Sequence, residues 1–108
     1  MPIHPRQKMR RSNQKAIKYL LQNGFGAVWL SPHSRFGTIS YFKDRKERGI
    51  DIFNIADGIA IKDGEVYLLQ IKTDSWREYD LFKKFLEEHR LKGLFINVKP
   101  GNNIKTRS

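Results

Sequence analysis

Asp57-Gly58-Ile59-Ala60-Ile61-Lys62-Asp63-Gly64-Glu65-Val66-Tyr67-Leu68-Leu69-Gln70-Ile71-Lys72 decides how this chain folds. Two apolar runs flank Asp63-Gly64. Asp-Gly is a strong hairpin signal, because a type I′ turn needs positive φ at both central residues. With Asp63 and Gly64 as the loop, Lys62 pairs with Glu65, and counting outward sets Asp57 opposite Gln70. Lys72 lies two residues further along, on the same face. Opposed Cβ atoms are about 5 Å apart and diagonal ones about 7 Å. The register therefore gathers a carboxylate, an amide and an ammonium around a space fit for one small ion or phosphate.

The neighbours make that cluster unusual. Ile55, Ile59, Ile61, Val66 and Leu68 share its face, while Ala56, Gly58, Ala60, Tyr67, Leu69 and Ile71 form the other. Two apolar faces predict a central hairpin covered on both sides. Charged groups placed there cost free energy unless they are paired or bind something. One reading is a structural Asp57–Lys72 ion pair capped by Gln70; the other is a functional site.

A chain of 108 residues suffices for one domain with one modest core. It has no cysteine, which excludes disulfides and thiolate zinc sites. Its apolar runs fall well short of the ~20 residues of a membrane span. Nothing at the N-terminus reads as a secretory signal, so a soluble cytoplasmic protein is the expectation. The net charge is +10 and unevenly spread: residues 1–50 hold eleven Lys or Arg against two acids, residues 51–108 ten against nine. A one-sided basic surface suggests a polyanion partner, most often nucleic acid.

Working outward, residues 1–11 read as a basic flexible arm and 100–108 as a polar frayed tail, with one domain over 12–99. Ser12 is a plausible N-cap for a helix over 13–23, with Ala16, Ile17, Leu20 and Leu21 as its apolar stripe and Gly24 as its stop. Residues 25–30 read as a strand, 36–42 as a short extended piece, and 43–49 as a charged loop. Strands over 50–61 and 65–73 form the hairpin. Ser75 and Glu78 fit a capping box opening a helix that runs to about Arg90. Gly93 ends the connection to a last strand over 94–98. The order is α-β-β-β-α-β, an α/β (α+β) arrangement with a mixed central sheet flanked by two helices.

That order, an aspartate before a hairpin, and Gln70-Ile71-Lys72 as a (Glu/Gln)-x-Lys motif resemble the PD-(D/E)XK nuclease superfamily. Within it, residues 51–61 and 68–73 are similar to small Holliday-junction-resolvase-like proteins of archaea and viruses. The resemblance spans residues 12–99 and implies a restriction-endonuclease-like core, Mg²⁺ or Mn²⁺ as cofactor, and cleavage of branched or duplex DNA in recombination or repair. It implies a homodimer with two sites and, for a viral protein, the host cytoplasm. Asp57 then matches the metal-binding aspartate, Gln70 stands where the family usually has Glu, and Lys72 matches the lysine that orients water or stabilises phosphate charge. The main-chain carbonyl of Ile71 would be a further oxygen ligand.

Two departures stand out. Gln70 offers a neutral amide, which lowers the expected metal affinity. Resolvases of this kind often carry a first-helix glutamate, yet residues 1–43 contain no acid, and Asn13 or Gln14 occupies that region. Asp51 is an alternative second acid, but in a regular strand it would lie about 20 Å from Asp57. Only a bulge or sharp bend would bring the two together. These departures keep a second reading open, a catalytically degenerate nucleic-acid-binding module.

The candidate phosphate contacts are Arg10, Arg11, Lys15, Arg35, Lys43, Arg45, Lys46 and Arg48. Ser31 and Ser34 are small polar groups that would meet the scissile region from a loop, their plain alternative being turn chemistry; His33 would be a general base or a phosphate contact, its plain alternative being an ordinary surface residue.

Overall fold

The computed structural model describes residues 5–32 and 37–108, the side chains of 5–9 excepted. The elements in chain order are α1 (Pro5–Gln22), β1 (Ala27–Leu30), β2 (Thr38–Tyr41), β3 (Lys46–Gly49), β4 (Gly58–Lys62), β5 (Glu65–Thr73), α2 (Tyr79–His89), β6 (Lys92–Val98) and β7 (Ile104–Arg107). The fold is α+β, with a mixed five-stranded sheet in the order β1-β4-β5-β6-β7 and a separate β2-β3 ribbon. Among the described residues, no helix is long and apolar enough to cross a membrane.

From Gly58 to Lys62 the central hairpin has the expected register, but Asp57 bonds to Leu69 and does not pair with Gln70 as expected. Asp63 and Gly64 both have positive φ (52° and 77°), and Lys62 pairs with Glu65, Ile59 with Leu68 and Gly58 with Leu69. β1 adds antiparallel to β4, β6 runs parallel to β5 after the α2 crossover, and β7 returns antiparallel along β6. Helices cover both faces. Ala16 and Leu20 of α1 pack with Ala60, Leu69, Ile71, Ile96 and Val98. Phe82 and Leu86 of α2 pack with Leu68, Phe95 and Ala56 on the other.

Several expectations change. The helix foreseen over 13–23 begins at Pro5, so the arm expected over 1–11 is helical from there. Proline suits a first helical position, and Arg, Gln, Lys and Met are good helix formers. Ser12 is therefore no N-cap: it is buried within α1, and its hydroxyl meets that of Thr73 at 2.6 Å. The charged loop over 43–49 contains β3, paired with β2 across a short turn. The tail over 100–108 contains β7, whose Arg107 lies 4.1 Å over the Trp76 ring. Gly93 sits inside β6, where an added Cβ would be 2.6 Å from a Leu86 methyl; it lets α2 approach the sheet closely.

The strand foreseen over 50–61 also changes, and this matters most. Only Gly58–Lys62 is strand. Ile52 and Ala56 exchange backbone hydrogen bonds of 2.8 and 3.0 Å, closing a tight turn in which Phe53 and Asn54 both have positive φ. Asn tolerates that conformation. Phe53 is held there by ring contacts to Phe42 and Phe85 at 6.0 and 5.9 Å. The turn ends the strand alternation, and Ala56 packs on the α2 side instead of the α1 side.

Gly58 stands where this turn joins the sheet. A Cβ there would lie 2.2 Å from the Trp29 carbonyl oxygen and 3.0 Å from the Leu30 Cα. Backbone cannot yield as a side-chain tip can. Gly58→Ala should therefore destabilise the fold by about 1–3 kcal/mol. Gly64→Ala, with nothing within 4 Å of its Cβ, should cost only the strain of a positive φ, about 1 kcal/mol. Urea denaturation of both variants checks this; a Gly58→Ala protein as stable as wild type would mean that β1 does not pack as described.

Candidate active site

Asp57 ties three segments together. Its N–H donates to the Leu69 carbonyl at 2.6 Å, and its carbonyl accepts the Ser31 N–H at 2.8 Å. Its carboxylate oxygen Oδ2 accepts the Ile71 N–H at 2.7 Å. Asp57 and Gly58 thus both face Leu69, which is the residue count of a β-bulge. In an uninterrupted ladder a backbone carbonyl would receive the Ile71 N–H. Here the chain has turned away, because the Ala56 carbonyl is used by Ile52. The carboxylate takes its place, and the side chain is 9% exposed.

Gln70 follows on the α2 side of β5 and is 5% exposed. Its Oε1 has no hydrogen-bond partner among the described residues. A buried acceptor left unpaired costs about 1–3 kcal/mol, so its retention needs a reason. It lines a cleft of about 140 Å³ together with Asp51, Asn54, Ile55, Glu78 and Leu81. Asp51 reaches this cleft because the 52–56 turn folds the chain back. The turn is a sharp bend, and it brings Asp51 to the cleft of Gln70.

Lys72, one step beyond on the same face, donates from Nζ to Glu78 Oε2 at 2.9 Å. The ammonium thus has a partner outside the hairpin. Glu78 is a residue the sequence reading assigned elsewhere. It was expected at the third position of a capping box, but α2 starts at Tyr79 and Glu78 is its N-cap, with φ of 71° and no side-chain cap bond. Ser75 Oγ instead accepts the Arg77 N–H at 3.0 Å. The connector is held by the sheet: the Asp74 N–H donates to Val98 O at 2.9 Å, and the Ser75 N–H to Oδ1 of buried Asn97, also at 2.9 Å. Glu78 is therefore released from capping and turned toward Lys72. The only sequence signal was an acid six residues after the lysine.

The remaining candidates divide. Ser31 joins the site through its bond to Asp57. Asn13 is half-buried beside Ser12, while Gln14 is exposed and lines the outer surface of α1 with Ile17 and Leu21, away from the cleft. Gln14 is thus not a substitute for a first-helix acid. His33, Ser34 and Arg35 lie outside the described residues. Arg10 and Arg11 are exposed on α1.

Lys43, Lys46 and Arg48 are exposed on the β2–β3 ribbon. That ribbon meets the turn through Phe42 on Phe53, and through Asn54 Nδ2 donating to Glu47 at 3.3 Å. Arg45 differs from its neighbours, because it pairs with Asp44 at 2.9 Å and Glu47 at 3.1 Å and covers the Phe42 ring. The Arg45 hydrogen bond, followed by that of Asn54, holds the Glu47 carboxyl below its usual range. Arg45 therefore stiffens the ribbon, leaving Lys43, Lys46 and Arg48 as its exposed basic side chains.

No family model, curated protein or solved structure matches this chain.

The Asp57 carboxylate carries structural weight as well as charge. Asp57→Ala leaves the buried Ile71 N–H without its acceptor and should cost about 1–3 kcal/mol. Asp57→Asn keeps an acceptor oxygen at the same place and should cost distinctly less. Paired denaturation curves test this, together with hydrogen exchange at the Ile71 amide; equal stability of the Ala and Asn variants would mean that the 2.7 Å bond contributes nothing.

Proposed function

We propose that this chain is a metal-dependent DNA endonuclease resembling Holliday-junction resolvases, hydrolysing phosphodiester bonds in branched or duplex DNA. The observation that carries the reading is the return of Asp51 to the cleft of Gln70 and Glu78, with Lys72 hydrogen-bonded to that Glu78. Two carboxylates, Asp51 and Glu78, line the cleft into which the buried Gln70 faces. The connectivity also supports it. With the β2–β3 ribbon set aside as an insertion, the order is α-β-β-β-α-β followed by an added edge strand β7: three antiparallel strands, a parallel one, and a last antiparallel one.

The donors suit a hard divalent cation. They are carboxylate and amide oxygens, and the buried Gln70 Oε1 lacks a partner among the described residues. Asp51, Asp57 and Gln70 would hold Mg²⁺ or Mn²⁺. Among the described residues no three His, Cys, Asp or Glu groups converge as a ready-made cage. A site of few protein ligands is usual for Mg²⁺, which keeps several waters. Such an ion, when bound, lowers the pKa of a water and offsets charge on the phosphate. Lys72 would present its ammonium to the phosphate, with Glu78 setting its direction. Ser31, hydrogen-bonded to Asp57, would fix the floor of the site.

The amide at position 70 also favours a second reading, a DNA-binding module that has lost catalysis. Incubating labelled four-way junction, duplex and single-stranded DNA with Mg²⁺, Mn²⁺ or EDTA separates the two. Cutting should need the metal, disappear in Asp57→Asn and Lys72→Ala, and fall roughly 10–100-fold in Asp51→Asn. Gln70→Glu, which restores a negative ligand, should keep or raise it. Binding without cleavage under every metal condition would overturn the nuclease reading in favour of the binding module.

A further inference from the structure

A second surface of the molecule has the chemistry of an anion site, and it lies on the opposite side of the sheet from α2. Helix α1 carries no acidic residue. Arg11, Lys15, Lys18 and Gln22 follow at intervals of four, three and four, which puts them on one face of the helix. The turn between β6 and β7 faces the second half of that row. Together they bound a cleft of about 240 Å³ lined by Lys15, Lys18, Tyr19, Gln22, Asn102 and Ile104. The polar groups there are two ammoniums, two amides and a phenol, and none is a carboxylate. The Ile104 and Tyr19 side chains add apolar surface. The second wall is fixed by the Lys15 ammonium, which donates to the Gly101 carbonyl at 2.8 Å.

The direction of α1 connects this cleft to the candidate active site. Ser12 touches Thr73 at the far end of β5, immediately after Lys72. At the other end of the helix, the Asn23 carbonyl accepts from Lys62 at the hairpin tip, at 3.0 Å. The row therefore starts beside the catalytic end of β5 and runs back along the sheet for about 16 Å from Arg11 to Gln22, at 1.5 Å per residue. Charges spaced along a groove suit a repeating polyanion better than a single small ion.

We propose that the cleft between α1 and the β6–β7 turn is a nucleic-acid backbone groove, in which Lys15, Lys18 and the Asn102 amide contact successive phosphates of a DNA strand. Arg11 extends the groove toward the active site. It is separate from the β2–β3 ribbon, so a substrate would be held from two sides. The inference rests on the nuclease reading only for the direction in which the strand leaves; the binding itself does not require cleavage.

The test is fluorescence anisotropy of labelled single-stranded and duplex DNA over a salt series in EDTA, where no metal-dependent cutting intervenes. Lys15→Ala with Lys18→Ala should weaken binding roughly tenfold or more near physiological salt and reduce the slope of log K against log salt by about two. Asn102→Asp places a carboxylate in the groove and should weaken binding on its own. Lys83→Ala with Lys84→Ala removes the same charge from exposed positions of α2 and should change affinity far less. Thermal melts establish that each variant is folded. If the α1 pair and Asn102→Asp bind as wild type, or if the α2 pair loses as much as the α1 pair, the groove is overturned and only overall charge remains. A protein that binds through α1 but never cuts would keep this inference and sink the nuclease; one that cuts normally without Lys15 and Lys18 would do the reverse.

Discussion

The hydrogen bond from the Ile71 amide to the Asp57 carboxylate is the constraint on which the rest of this molecule depends. A strand in the middle of a sheet must satisfy the amides of its neighbour, because a buried unpaired N–H costs about 1–3 kcal/mol. When the chain before Gly58 turns out of the ladder, one such amide loses its backbone acceptor. Asp57 supplies a side-chain oxygen in exchange, which lets the preceding residues leave the sheet without an energetic gap. The turn that follows brings Asp51 to the cleft and docks the β2–β3 ribbon. Gly49 marks how closely the two meet: a Cβ there would fall 1.5 Å from Asn54 Oδ1.

A second consequence concerns charge. A carboxylate engaged by a backbone amide is held in one orientation, so its remaining charge is aimed rather than mobile. Lys72 is steered in the same way by Glu78, and Glu78 by a connector whose backbone is fastened to β6 through Asn97 and Val98. Positive φ at Asp74 and Glu78 (46° and 71°) is the cost of that route, on the order of 1–3 kcal/mol for each residue held in such a region. Strain of this kind persists where surrounding contacts over-determine it, here the aromatic packing of Trp76, Tyr79 and Phe82 around Phe95.

What could be read directly were the elements governed by local rules. Asp63-Gly64 specified the turn, and the turn specified the register that sets Gln70 and Lys72 on one face. The apolar stripe of α1 and the doubly apolar hairpin specified coverage on both sides. The elements misread were those in which a local rule met a stronger distant contact. Ser12 has the composition of a cap, but Thr73 and the sheet hold it within a longer helix. Ser75 and Glu78 match a capping box, but Asn97 draws the Ser75 backbone to the sheet and the helix begins later. The β7 strand has little apolar content of its own; it forms because β6 offers an open edge and Arg107 finds the faces of Trp76 and Tyr79.

By itself, then, the sequence determined the central hairpin, its register, the two-sided core and the concentration of positive charge in the first half of the chain. These follow from turn stereochemistry, side-chain alternation and composition, all of which act over a few residues. Only the tertiary structure decided that Asp51 meets Gln70, that Lys72 is answered by Glu78, and that α1 faces the β6–β7 turn across a basic cleft. Each of these joins segments far apart along the chain, or reverses the direction expected of an extended one. The outcome depends on which backbone amide is left without a partner and which side chain can reach it, and that is settled only once the sheet has assembled.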